Sequence, residues 1–331
     1  MNVVYTCDDN FVWLMGTSMI SLLENNKDML DLHVWLIGSG IKEKSKDELK
    51  TIAQRYNRKI TIMETPNLDI PQVLCSERWP KIVFTRLFTA ELLPEHIDKA
   101  LYLDCDTIVR GDISALESLD TKGKFFSGVK DCIGQAYRKN MGLDDSDIYI
   151  NTGVMLLDLK ELRKIDIRPL VEGGAWKYKD FITYADQDLL NAAFKGMIGT
   201  IPAKYNLMTI AAQYSREALQ RLRRPVNYYS EEEYSEMKKD PKIIHYTTNM
   251  LTARPWFSNS DHPYAEDFRK YLKMSPWADR QLEPMVFNKK EHKIIKAVQI
   301  FPDRLADHIL GFLHTIARPM AARIRAKMKG A

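Results

Sequence analysis

The sequence predicts an α/β fold: a mostly parallel sheet with helices on both faces. Two observations lead there. Short apolar runs alternate with amphipathic segments of helical period through the first half of the chain, an order that makes successive strands parallel. Polar clusters then recur at the carboxyl ends of those runs, where open sheets of this kind bind ligands. In order, Val3 to Thr6 reads as a buried strand and Phe11 to Glu24 as an amphipathic helix. Leu32 to Ile37 is a second strand, Lys42 to Tyr56 a charged helix and Lys59 to Met63 a third strand. A helix over Val83 to Leu93 leads to a strand at Ala100 to Leu103, and Phe125 to Val129 and Tyr149 to Leu157 are further strands. Asp186 to Phe194 reads as a helix, residues 215 to 240 as polar helices and loops, and Ile243 to Tyr246 as a short strand.

A chain of 331 residues, 45% hydrophobic and 28% charged, is that of a globular enzyme rather than a disordered segment. No run of 18 apolar residues is present, so no membrane span is expected. The N-terminal segment has no basic n-region and meets Asp8-Asp9 too soon for a signal peptide, so a cytoplasmic location is expected. Cys7, Cys75, Cys105 and Cys132 have no metal-ligand spacing and are expected as reduced thiols.

The stretch Leu101-Tyr102-Leu103-Asp104-Cys105-Asp106 carries the strongest chemical signal. In extended backbone, residues i and i+2 point to one side, so Asp104 and Asp106 can converge. Two carboxylates that close need a cation or a shared proton, and hard oxygen ligands favour Mg²⁺ or Mn²⁺ beside substrate phosphates. Cys7-Asp8-Asp9-Asn10 ends the first strand and can line the same crevice. Asp131 ends another strand, Asn151-Thr152-Gly153 interrupts an apolar one, and Asp186, Gln187 and His245 lie near element ends. Singly these are common capping or turn residues, and Arg86, among Phe84, Leu87 and Phe88, reads alone as a surface residue. Together they outline one site.

With these motifs in order, residues 1 to 257 resemble the retaining glycosyltransferases of family 8, which include bacterial lipopolysaccharide galactosyl- and glucosyltransferases and glycogenin. The carriers are Asp8-Asp9-Asn10, Arg86-Leu87, the Asp104-Cys105-Asp106 stretch, Tyr149-Ile150-Asn151-Thr152-Gly153-Val154, Asp186-Gln187-Asp188-Leu189-Leu190-Asn191, and His245-Tyr246 with Pro255-Trp256. The resemblance implies a Rossmann-like core of GT-A type over 1–257, followed by a helical, basic C-terminal extension over 258–331. It implies Mn²⁺ (or Mg²⁺) on Asp104, Asp106 and His245, together with the diphosphate of a UDP-sugar, the stretch through Cys105 lining that site. Thr6, Cys7, Asp8 and Asn10 would cradle uracil and ribose. Arg86 and Asp131 would touch the donor sugar, Asn151, Asp186 and Gln187 would surround its anomeric carbon, and Thr152 would be a further donor-binding position. By the same resemblance Gln187 would stand under the reactive face, with Asp186 as the alternative nucleophile. One departure concerns the loop from His245 to Trp256: it lacks the glycine and lysine usual on the diphosphate, and Arg254 is the candidate replacement.

The segment from Val286 to Ala331 holds ten basic and three acidic residues, a net of +7, leaving −3 on the rest of a chain whose total is +4. Its lysines and arginines interleave with Ile294, Ile295, Val298, Leu305, Ile309, Phe312, Leu313 and Ile316, a composition suited to an anionic membrane surface and not to nucleic acid. The expected activity is transfer of glucose or galactose from UDP to a hydroxyl of a glycan or glycolipid acceptor, with the enzyme peripheral on the inner face of the cell membrane. A metal-dependent nucleotidyltransferase and a non-catalytic sugar-nucleotide- or glycan-binding regulator are the competing readings.

Overall fold

A computed structural model describes residues 1–77, 79–249, 252–286 and 300–330. Met250-Leu251 of the atypical loop, and Lys289, Lys290, Lys293, Ile294, Ile295, Lys296 and Val298 of the basic tail, lie outside the described residues.

The main sheet has seven strands: β1 (Asn2–Asp8), β2 (His33–Ser39), β3 (Lys59–Glu64), β4 (Lys99–Leu103), β6 (Phe126–Lys130), β7 (Ile150–Asp158) and β8 (Ile198–Thr200). Their order is β3-β2-β1-β4-β7-β6-β8, and β7 alone opposes the common direction. The expected mostly parallel sheet is therefore present. A second sheet of three short strands pairs β5 (Thr107–Val109) with β10 (Ile243–His245) and β10 with β9 (Leu207–Met208).

Alternation along β1 explains the layering. Val3, Tyr5 and Cys7 face a core shared with Met15, Met19 and Leu22 of α1 (Val12–Asn25) and Leu49 and Ile52 of α2 (Glu43–Arg55). Val4 faces the opposite core, which contains Phe84, Leu87, Phe88 and Leu189.

Two local expectations change. The segment read as a helix over Val83 to Leu93 is a 3₁₀ helix, Lys81–Phe88, followed by one α turn, Thr89–Leu92. The tighter winding carries Arg86 inward, so the residue that reads alone as exposed is buried. Asp104 and Asp106 flank a tight turn between β4 and β5 rather than lying in extended backbone; Thr107 Oγ1 donates to the Asp104 carbonyl at 2.8 Å within it.

Of the remaining helices, α3 (Gln135–Asn140), α4 (Arg168–Tyr178) and α5 (Ala185–Ala193) precede α6 (Arg216–Arg223) and α7 (Glu231–Lys239), which occupy the polar 215–240 stretch. Helix α8 (Ala265–Lys273) sends Phe268, Tyr271 and Leu272 into the core against α1. The extension ends in α9 (Asp303–Phe312) and α10 (Arg318–Met328), joined by a π-helical turn, Leu313–Ala317. Helix α9 approaches α6 so closely that a Cβ on Gly311 would stand 2.0 Å from the Arg221 carbonyl oxygen. An Arg221–Asp307 ion pair at 3.1 Å and a bond from Asn140 Nδ2 to the Pro319 carbonyl at 3.0 Å fasten the pair of helices. Leu305, Phe312, Leu313, Met320, Ile324 and Met328 remain exposed on them. No helix among the described residues is long and apolar enough to cross a membrane.

Candidate active site

The turn after β4 and the end of β10 bring Asp104, Asp106 and His245 together, with one potential ligand atom from each inside 4.8 Å of the others. His245 Nε2 stands 3.2 Å from Asp106 and 3.7 Å from Asp104. Its Nδ1 faces two acceptors, the side-chain oxygens of Asn151 at 3.1 Å and Asn206 at 3.2 Å. Nδ1 therefore carries the proton and Nε2 is aimed at the carboxylates, the arrangement of a metal-binding imidazole. Burial alone would lower the pKa of His245; Asp106 and Asp104 outweigh it and hold the value above that of an ordinary imidazole. Burial likewise disfavours the Asp106 carboxylate, yet His245 and Arg254 keep its pKa low. The pocket thus demands positive charge at one point, which a proton or a divalent cation supplies, and the two-carboxylate, one-imidazole set fits Mn²⁺ or Mg²⁺.

Close approach of backbone makes the cluster fit. The Asp104 amide donates to the Gly153 carbonyl at 2.7 Å, and a Cβ on Gly153 would lie 2.1 Å from His245 Cε1 and 2.8 Å from Asp104 Oδ2. The glycine inside an otherwise apolar strand is there because β7 must pass directly behind these side chains.

Arg86 ties the cluster to α5. Its guanidinium pairs with Asp104 at 2.9 Å and Asp186 at 3.2 Å, donates to the Thr152 carbonyl at 3.1 Å, and lies 4.7 Å from the Tyr102 ring centroid. Burial works against its charge, but the two carboxylates dominate and raise its pKa. Asp186 is pushed up to about 6 by burial, against the pull of Arg86 and the Thr152 hydroxyl, which donates at 3.0 Å. It sits inside α5, whose N-cap is Tyr184, so it is not the capping residue its type allows.

A second chain of bonds leads from His245 to the far wall. Asn151 Nδ2 donates to Gln187 Oε1 at 2.8 Å, and Gln187 Nε2 donates to Asp131 at 2.9 Å and to the Tyr149 hydroxyl at 3.1 Å. The Gln187 amide is thereby fixed at both ends. Asn191 anchors α5 to β7 by accepting from the Ile150 amide at 2.8 Å and donating to the Ile150 carbonyl at 2.9 Å.

At the end of β1, Thr6 donates to the Tyr102 hydroxyl at 2.8 Å, which in turn donates to Asp104 Oδ1 at 3.0 Å. Asp8 caps the following turn through the Asn10 amide at 2.9 Å, and Asn10 is exposed. Asp9 is turned away to hold Ser45 and Lys42 at the start of α2. Cys7 and Cys105 are buried free thiols beneath the site, with Cys105 Sγ 3.7 Å from the Thr6 carbonyl. Arg254 reaches to 3.9 Å from Asp106 and rests 4.6 Å from the Trp256 ring centroid, which brings a guanidinium to the Asp106 side of the cleft.

Four residues of this network escaped the sequence reading as individuals. Tyr102 and Tyr149 sit inside motifs already quoted, as does Asp188, which is fully buried and accepts from Tyr149, Tyr137 and the Thr183 and Tyr184 amides at 2.5–2.7 Å. Their period-two and helical positions mark them as inward-facing polar groups. Asn206 follows a short 3₁₀ turn in an unpatterned stretch, and nothing local signals it.

Comparison with known proteins bears on the family and the fold. Lipopolysaccharide 1,2-glucosyltransferase of Escherichia coli K12 is 27% identical over 301 residues, covering 88% of this chain and 84% of its own. General stress protein A of Bacillus subtilis is 27% identical over 280 residues, covering 84% and 94%. The galactosyltransferase LgtC, solved with donor and acceptor sugar analogues, shares the fold with a TM-score of 0.69 at 22% identity, covering 88% of this chain and 99% of that one. The model of glycosyl transferase family 8 matches residues 2–260, and the chain belongs to that family.

Proposed function

We propose that this glycosyltransferase moves glucose or galactose from UDP to a hydroxyl of a glycan or glycolipid, with retention and with Mn²⁺ or Mg²⁺ on Asp104, Asp106 and His245. The carrying observation is the convergence of those three side chains beside the fixed Gln187 amide. The ion, when bound, would offset charge on the departing diphosphate. Thr6, Cys7, Asp8 and Asn10 form the uridine end of the cleft in this reading, Cys105 and Thr152 line it, and Arg254 meets the diphosphate. Arg86 and Asp131 bound the sugar, and Asn151 holds Gln187 against its reactive face. Asp186 spends one oxygen on both Arg86 and Thr152, which suits a positioning role better than nucleophilic attack. An amide is a poor nucleophile, so the incoming hydroxyl attacks on the face the leaving group vacates and gives its proton to the leaving phosphate.

The reading assigns catalysis to 1–257 and membrane contact to 258–331. The exposed apolar side chains of α9 and α10, among lysines and arginines, support attachment to the inner face of the cell membrane, each basic residue near an anionic surface adding about 1 kcal/mol. The test is UDP release from UDP-glucose and UDP-galactose, with Mn²⁺ and with EDTA. Metal-dependent release from one donor is expected. Failure to bind either UDP-sugar with Mn²⁺ in a calorimeter would overturn the assignment. Binding without release, unchanged in Asp106→Asn, would favour the regulatory reading.

A further inference from the structure

Beside the Gln187–Asp131 wall lies a group of cationic side chains that the reaction outlined above does not use. Arg223, at the end of α6, is half-buried, and among the described residues no carboxylate pairs with it. Its guanidinium donates instead to His314 Nε2 at 2.5 Å, and the Tyr184 hydroxyl stands 3.4 Å from the same nitrogen. An imidazole that accepts there is neutral, so it gives Arg223 no counter-charge. Burial, then Arg223 and Arg318, push the His314 pKa down to about 3.

This group adjoins a cleft of about 240 Å³ between α3, the segment before α5, and the start of α10. Tyr137, Tyr184, His314, Arg318 and Arg325 line it, with Asp180, which Lys329 already neutralises at 2.6 Å. Arg318 and Arg325 have no ion-pair partner among the described residues. The cleft adjoins the reacting centre: Tyr184 is three residues before Gln187 and accepts its amide at 2.9 Å, while Tyr137 and Tyr149 share Asp188. The π-helical turn presents His314 towards Arg223, and such turns are frequent at functional sites.

Uncompensated guanidinium groups at the rim of a transferase cleft call for an anion, and a planar fork of N–H donors matches phosphate and carboxylate oxygens. We infer that Arg223, Arg318 and Arg325, with the Tyr184 hydroxyl, form a subsite for a phosphate or carboxylate group carried by the acceptor, and that the C-terminal helices thereby complete the acceptor site. This rests on the transferase reading for the word acceptor, but the anion site itself does not.

The test uses the full chain with UDP and Mn²⁺ present to occupy the donor cleft. Inorganic phosphate and a soluble hexose phosphate are titrated calorimetrically into the wild type, Arg223→Gln and Arg318→Gln, with folding checked by circular dichroism. Binding to the wild type that weakens about tenfold or more in each variant is expected, the loss of one charge-assisted contact. Arg318 is exposed, so its variant keeps the test meaningful if Arg223→Gln misfolds. No binding to the wild type, or equal binding to wild type and Arg318→Gln, overturns the inference. So does unchanged phosphate affinity with lost sedimentation on phosphatidylglycerol vesicles, which would make the cleft a lipid-headgroup site. Donor binding by the wild type is read separately: phosphate binding by a chain that binds neither UDP-glucose nor UDP-galactose with Mn²⁺ leaves the anion site standing and removes the UDP-sugar transferase reading.

Discussion

Replacing Gly153 by alanine tests the site with one methyl group. The new Cβ would stand 2.1 Å from His245 Cε1, 2.7 Å from its Nδ1 and 2.8 Å from Asp104 Oδ2. An ordinary carbon contact begins near 3.4 Å, so the imidazole must retreat by roughly 1 Å or β7 must bow outward. Neither is free. His245 is held by Asn151 and Asn206, and the Gly153 carbonyl accepts the Asp104 amide. Metal-ligand distances tolerate only about ±0.2 Å, so a displacement several times larger removes His245 from the ligand set. The expected result is Mn²⁺ affinity, measured in the presence of UDP, lowered by about 10- to 100-fold or more. Overpacking should also cost about 1–3 kcal/mol of stability. Mn²⁺ titration by electron paramagnetic resonance reads the first effect and urea unfolding the second. Gly153→Ala that binds Mn²⁺ like the wild type would refute the argument that Asp104, Asp106 and His245 share one ion behind this strand.

Asn206→Ala removes one of the two acceptors that fix the His245 tautomer, and should weaken Mn²⁺ about tenfold while the fold survives, checked by the same titration. Asp188→Asn replaces a fully buried carboxylate that accepts four bonds; loss of about 1.5–3 kcal/mol in urea unfolding is expected, with slower donor hydrolysis as Tyr149 loosens its hold on Gln187. Asp186 gives a pH signature. Its pKa is raised from 3.8 to about 6 in the folded chain, so the folded state prefers the protonated acid. Stability contributed by that proton is full below 3.8 and is lost as pH rises through about 6, after which the term is flat. Urea midpoints measured with EDTA between pH 4 and 7 should therefore fall less steeply in Asp186→Asn than in the wild type; identical slopes would contradict the assignment.

The parallel half of the sheet was legible because β1 to β4 carry short, mostly apolar runs separated by helical-period segments. The site was legible where a motif and an element end coincide, as at Asp104-Cys105-Asp106 and Asp186-Gln187. Position along the chain hid the rest. The 3₁₀ winding of Lys81–Phe88 depends on how Phe84, Leu87 and Phe88 pack, and that packing buries Arg86. The small sheet joins β5 to β10, far apart along the chain, and its two-residue strand at Leu207–Met208 leaves no periodic trace. Arg223 and His314 meet across 91 residues, and neither sits in a patterned stretch.

The π-helical turn at Leu313–Ala317 is a phase shift held in the chain. An α-helix turns by about 100° per residue, and the wider turn holds one residue more than a regular helix would. Winding the same residues as regular α-helix, with the extra one kept, would run α9 straight into α10 and swing everything beyond it by about a quarter turn. Pro319 and Ala326, now buried, would leave their places, Asn140 would lose the Pro319 carbonyl, and Met320 and Ile324 would roll away from their outward positions. Which side of the terminal helix meets the protein and which meets the outside is thus set by how this one turn winds as much as by residue type.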